Sequence, residues 1–247
     1  MSGGMSLRSI APELVLIVGA LAILLFALFA PRRLQRYAAH LALLTLALSA
    51  ASVWLVAGAA QPTTFFGTYA VDGVALGGKL IILAATALAV LLSYEWLATE
   101  PRRGELHTLL LMSALGAILL AGATDLMEMV LGMLLSSATG YVLTGYHRRS
   151  VRAAEAAIKY YLIGALSIGF MVFGVVLLFG SGGSTLFGEL LGSLGTADAW
   201  ALTLAVGLIV VGLSFKVGAF PSYAWVPDVA DAAPAPMAAF LTAAPKV

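Results

Sequence analysis

The feature that most constrains this chain is a succession of apolar runs, each long enough to cross a bilayer and separated by short polar or glycine-containing loops. A spanning helix needs about 20 mostly apolar residues, and in lipid only a helix or a closed barrel satisfies its own backbone groups. On that criterion the chain carries seven spans and the start of an eighth: 12–30, 37–59, 74–98, 105–123, 125–146, 153–180, a seventh from 199 to a break at Pro221, and an eighth that begins near Pro234 and is cut off at Val247. The predicted fold class is an all-α integral membrane protein of about eight transmembrane helices, the last truncated.

Composition agrees with that reading. The chain is 62% hydrophobic and 10% charged, against about 45–50% apolar and about 25% charged in soluble domains. A net charge of +1 without a basic tract excludes nucleic acid as a partner. Cysteine is absent, which removes thiol catalysis, disulfides, Cys-bound iron–sulfur clusters and Cys-ligated zinc. His40, His107 and His147 show no ligand spacing, so no metal site is expected. There is no P-loop or dinucleotide fingerprint, and Ser136 and Ser137 lack a paired base for nucleophilic catalysis. The N-terminal run is too long and apolar for a cleaved signal peptide and reads as the first span.

Arginines give the direction. Arg32, Arg33 and Arg36 follow the first span, Arg102 and Arg103 the third, and Arg148, Arg149 and Arg152 the fifth, while the loops after the second, fourth and sixth spans carry no Lys or Arg. By the positive-inside rule the N-terminus is expected outside and the odd-numbered loops in the cytoplasm, with Arg8 dissenting.

Intramembrane ionisable groups are the candidate functional residues, because they are costly in lipid unless they face a protein interior or a watery path. Lys216 ends a long apolar run five residues before Pro221, and Lys246 lies in the eighth run. Lysine amines so placed can load and release protons near neutral pH; the plainer reading is a long side chain snorkelling to the interface. By helix rise, Lys159 lies about 10 Å and Lys246 about 18 Å from the cytoplasmic face, and Lys216 about 25 Å from the outside. The three amines are thus expected at different depths. Lys79 is expected to snorkel. Glu13, Asp72 and Glu128 sit at span starts, where a carboxylate complements the helix dipole. Asp125 reads as an N-cap, and Glu155 as a first-turn carboxylate that complements the helix dipole, with Arg152 at i,i+3 as an alternative partner. Gly/Ala/Ser runs such as 164–169 fit close helix packing.

Several stretches carry a family likeness. They are DLMEMVLGMLLSSATGYVL at 125–143, EAAIKYYLIGAL at 155–166 with GSGGST at 180–185, and LSFKVGAFPSYAWVPDVADAAPAP followed by APKV at the end of the chain. On these the chain resembles the subunit N family of the proton-pumping NADH:quinone oxidoreductase, respiratory complex I, whose last region reads like GFKxxxxPFHxWxPDVYxGxPTP…APK. The W-x-P-D pattern is shared with related antiporter-like subunits. The P-x-P…A-P-K spacing favours subunit N.

The resemblance implies two inverted five-helix repeats, each with a broken helix, related to Mrp-type cation/proton antiporters. Residues 1–104 would be an N-terminal three-helix segment and 105–247 an incomplete first repeat. It implies a proton pathway through Lys216 in the broken seventh helix, Lys246 in the eighth and Lys159 in the sixth, with Pro221 at the helix break. It implies no cofactor on this chain: NADH, FMN, iron–sulfur clusters and quinone belong to partner subunits. The partners it implies are the other membrane-arm subunits of complex I and the bilayer, in the cell inner (plasma) membrane or its organellar counterpart. Two departures stand out. The family glutamate of the fifth helix falls on Leu134, leaving Glu128, six residues earlier, as a possible auxiliary. The family has about fourteen helices, so the second repeat is not contained in these residues and a partial sequence is the expected account. The alternative readings are a subunit of an Mrp-type antiporter or a hydrogenase membrane arm, or a structural subunit that has lost pumping.

Overall fold

The computed structural model describes residues 7–31, 33–58, 63–97, 103–147, 150–193, 195 and 198–247, with Arg103 described by its backbone. Arg32, Arg102, Arg148 and Arg149, and the side chain of Arg103, which carry much of the charge asymmetry, lie outside the described residues.

Seven described helical segments are long and apolar enough to cross a membrane. Their α-helices are α1 (Ala11–Phe29), α2 (Ala38–Val56), α3 (Gly73–Trp96), α4 (Arg103–Gly122), α5 (Leu126–Thr144), α6 (Val151–Gly182) and, after a short α7 (Phe187–Ser193), α8 (Ala199–Val217). Two short helices follow, α9 (Trp225–Ala232) and α10 (Ala235–Ala243), and a 3-10 turn, Ala244–Lys246, closes the described chain. A small hairpin of β1 (Thr63–Thr64) and β2 (Tyr69–Ala70) joins α2 to α3. Its turn puts Phe65, Phe66 and Gly67 all at positive φ.

Two helix starts, at Pro12 and Asp125, follow the sequence signals, and Asp72 and Asp198 add caps of their own. Pro12 occupies the first turn of α1, where its missing N–H costs nothing. Asp72 caps α3 by accepting from the Ala75 amide at 2.8 Å. Asp125 caps α5 by accepting from the amides of Met127 and Glu128, and Asp198 caps α8 through Ala201.

Two close approaches fix the packing. A Cβ on Gly116 of α4 would stand 2.4 Å from the Ser136 amide nitrogen, and one on Gly132 of α5 would stand 2.7 Å from that of Leu120. The α4 and α5 backbones therefore touch, as small residues allow in membranes. Helices α6 and α8 pack antiparallel with small residues at the seam. Gly174 faces Ala205, Gly212 faces Ser167, and Gly164 faces Phe215. The large exposed apolar side chains, among them Leu28, Trp54, Leu88, Leu162 and Trp200, stud the outside of the helices, as expected of a surface solvated by lipid.

Candidate functional site

The chain breaks at the end of α8. The seventh span was expected to run to Pro221, but α8 ends four residues earlier, at Val217. Gly218 terminates it by adopting φ +75°, a left-handed conformation open to glycine at little cost. The Ala219 amide then bonds the Ser214 carbonyl at 2.8 Å and the Ser222 amide bonds the Ala219 carbonyl at 2.9 Å, so the freed backbone is satisfied locally. Pro221 lies inside the resulting loop, after a cis peptide bond. Ser222 fastens that loop to α6 by a 3.1 Å hydrogen bond with Ser167. The chain resumes as α9, whose Trp225 indole donates to the Phe215 carbonyl at 3.0 Å.

Lys216 is the next-to-last residue of α8 and is 5% exposed. Its ammonium donates to Ser136 Oγ at 2.7 Å, with Ser137 Oγ at 3.5 Å. Ser136 is itself held, since its carbonyl accepts from Ser113 of α4 at 3.1 Å. The serines dismissed as nucleophiles are thus the lysine's hydrogen-bond partners. A pair of hydroxyls in the middle of an apolar span was the signal that could have shown this. Leu134, the position of the family glutamate, is 42% exposed and lies about 60° around α5 from Ser137.

Lys246 arrives at the same break. It is half-buried, its ammonium stands 5.9 Å over the Trp225 ring, and a Cβ on Gly218 would lie 3.2 Å from its Nζ. The structure therefore places the Lys246 ammonium at Gly218, two residues after Lys216 in the chain. Tertiary folding of α9 and α10 back onto the bundle is the reason. An aromatic group backs this region: Trp225 stacks on Tyr160 at 4.3 Å and Tyr160 meets Tyr141 edge-on at 4.7 Å.

Lys159 has different partners. It pairs with Glu155 at 2.8 Å and Asp228 at 3.3 Å, with its side chain 44% exposed. Of the two readings of Glu155, a dipole-compatible first-turn carboxylate and a partner of Arg152, the pairing is replaced by one with Lys159 at i,i+4.

A second charged group occupies the other end of the bundle, where α1, α3 and α5 begin. Lys79 does not snorkel. It is wholly buried, 2.8 Å from Glu13 Oε1 and 4.6 Å above the Tyr69 ring. The Tyr69 hydroxyl donates to the same Glu13 oxygen. Burial, and then the neighbouring Glu13, push the Tyr69 phenol well above its ordinary range, so it remains a proton donor. Glu128 belongs to this end. It lines a cavity together with Glu13, and lies eight residues, about 12 Å along α5, from Ser136. Opposite charges at matching depth in the first and third spans were the sequence signal for the Glu13–Lys79 pair.

Fold and site together define a polytopic helical membrane protein with a buried lysine at a broken helix. The comparisons make the class specific. The family described as NADH:quinone oxidoreductase/Mrp antiporter, TM, matches residues 123–247, and the chain belongs to it. Among its relatives, NADH-quinone oxidoreductase subunit N of Trichlorobacter lovleyi is 36% identical over 98% of this chain and 50% of its own length. The subunit N of Gemmatimonas aurantiaca is 39% identical over 100% of this chain and 50% of its own. The chain thus spans about half the length of the curated relatives it matches. Among solved structures, respiratory complex I from Thermus thermophilus with bound aureothin superposes with TM-score 0.80 at 33% identity, over 95% of this chain and 50% of that one. A membrane-bound sulfane sulfur reductase, an archaeal respiratory membrane complex, shares the fold with TM-score 0.84 at 22% identity, over 97% and 52%.

Proposed function

We propose that this chain forms part of a proton-translocating membrane subunit of an NADH:quinone oxidoreductase, which couples electron transfer from NADH to quinone to proton pumping through membrane-embedded lysines. The observation that carries the reading is Lys216, a buried ammonium held by two hydroxyls at the end of a broken helix, with Lys246 beside the same break. Hydroxyl partners hold an ammonium without fixing its charge as a carboxylate would, which suits a group that must gain and lose a proton. Lys159, tied to Glu155 and Asp228, is the cytoplasmic-side member of the path, and Glu128 is an auxiliary carboxylate at the opposite end.

In this reading the chain carries no redox site, and NADH, FMN, iron–sulfur clusters and quinone reside on partner subunits. Its partners are the other membrane-arm subunits and lipid. It lies in the cell inner membrane, or in the corresponding membrane of an organelle, with the N-terminus outside. The test replaces Lys216 or Lys246 by alanine in the full-length protein within its complex, and follows proton uptake by vesicles together with NADH:quinone turnover. Both rates are expected to fall, and wild-type rates in both variants would overturn the proposal.

One observation favours a second reading, a structural subunit that has lost pumping: Leu134 supplies no carboxylate at the family position. Leu134→Glu separates the two. Increased proton flux supports loss of pumping in the natural chain, whereas unchanged flux supports a path that runs on the serine-held lysine.

A further inference from the structure

The outer end of the bundle holds a cavity of about 430 Å³, within the range of small-molecule sites, about 300–1,000 Å³. It opens between α1 and α5, with α4 beneath. Its walls are mostly apolar, including Leu14, Ile17, Leu119 and Leu131, and two carboxylates, Glu13 and Glu128, line it. Glu13 is 3% exposed. Its Oε1 is occupied by Lys79 and Tyr69, but its Oε2 has no hydrogen-bond partner among the described residues, and neither has Glu128 Oε2. Asp125 also lines the cavity, but its carboxylate is taken up by the first amides of α5 and by Thr185. The one buried amine among the described residues at this end, Lys79, is ion-paired at Glu13 Oε1 without a directed hydrogen bond, and Glu13 and Glu128 each keep an oxygen that it does not serve. A buried acceptor left without a donor is costly, and the cavity beside these two has room for one.

We propose that this cavity binds an organic ammonium ion bearing an apolar chain, with the ammonium between Glu13 and Glu128 and the chain along Leu14, Ile17 and Leu131. A bare metal cation fits poorly, because hard cations take six or more oxygen ligands and the remaining walls are mainly hydrocarbon. The ammonium could come from an aminophospholipid headgroup or from a free alkylamine, which share this chemistry.

The experiment uses the full-length protein in its native membranes and a diazirine-bearing octylamine, with the matching octanol as control. The amine is expected to label peptides of α1 and α5 about tenfold more than the alcohol, and Glu128→Gln to remove most of that excess, as loss of a charged hydrogen-bond partner would. Competition by vesicles of phosphatidylethanolamine but not phosphatidylcholine assigns a lipid source, and competition by neither assigns a soluble amine; both agree with the proposal. Equal labelling by amine and alcohol in the unaltered protein, or full labelling retained in Glu128→Gln, overturns it.

Discussion

The ammonium of Lys79 lies 2.8 Å from Glu13 Oε1, and both side chains are buried, so α1 and α3 are joined by an ion pair withdrawn from solvent. Removing one partner leaves an uncompensated charge in a low-dielectric interior. Glu13→Gln or Lys79→Met is therefore expected to destabilise the protein by ~3–5 kcal/mol. The double variant should recover most of that loss. Thermal unfolding of the detergent-solubilised protein checks this, and a double variant as unstable as the sum of the singles would show that the two side chains act independently.

Ser136 separates the lysine's position from its charge. Ser136→Ala removes the 2.7 Å bond to Lys216 and leaves Ser137 as the remaining hydroxyl. Hydrogen bonds to charged groups contribute about 1.5–3 kcal/mol, so proton pumping should fall while Lys216 stays in place. Ser136→Thr should retain the activity. Pumping by vesicles, set against electron-transfer rate, reads the difference.

Gly218 is expected to tolerate no side chain. Its φ of +75° costs an L-residue roughly 1–2 kcal/mol, and a Cβ would come 2.8 Å from Val226 Cγ2 and 3.2 Å from Lys246 Nζ. Gly218→Ala should lower stability and push Lys246 from the break. A fall in pumping larger than the fall in folded protein would mark the second effect.

Gly116 controls the site at a distance. In Gly116→Ala the new methyl would meet the backbone of Gly132 and Ser136, so α4 and α5 must part, at a cost of about 1–3 kcal/mol for overpacking. Ser136 moves with α5, and its bond to Lys216 should lengthen. Unchanged stability and pumping would show that α5 shifts freely without the site noticing.

The spans, their caps and the candidate lysines were legible in the sequence, because length, hydropathy and first-turn residues are local properties. Asp125, read as an N-cap, caps α5, Asp72, read only as a carboxylate at a span start, caps α3, and the lysine beside the break is buried at it. The partners of the charged groups were not legible. Lys79 reads as snorkelling when only its own span is considered, and as one half of a buried pair once α1 lies against the bundle. The helix end moved from Pro221 to Gly218 because a left-handed glycine closes a helix before a proline is reached.

What the sequence alone determined is where the chain enters and leaves the apolar phase, since transfer of each segment depends on its own side chains. What only the tertiary structure decided is which groups meet the buried amines. Lys216 with Ser136, Lys246 at Gly218, and Lys79 with Glu13 are pairings 80, 28 and 66 positions apart in the chain. An ammonium in a protein interior is stabilised by whichever oxygens packing brings within reach, and that packing is set by contacts among helices such as α4 with α5 and α6 with α8, which no single span encodes.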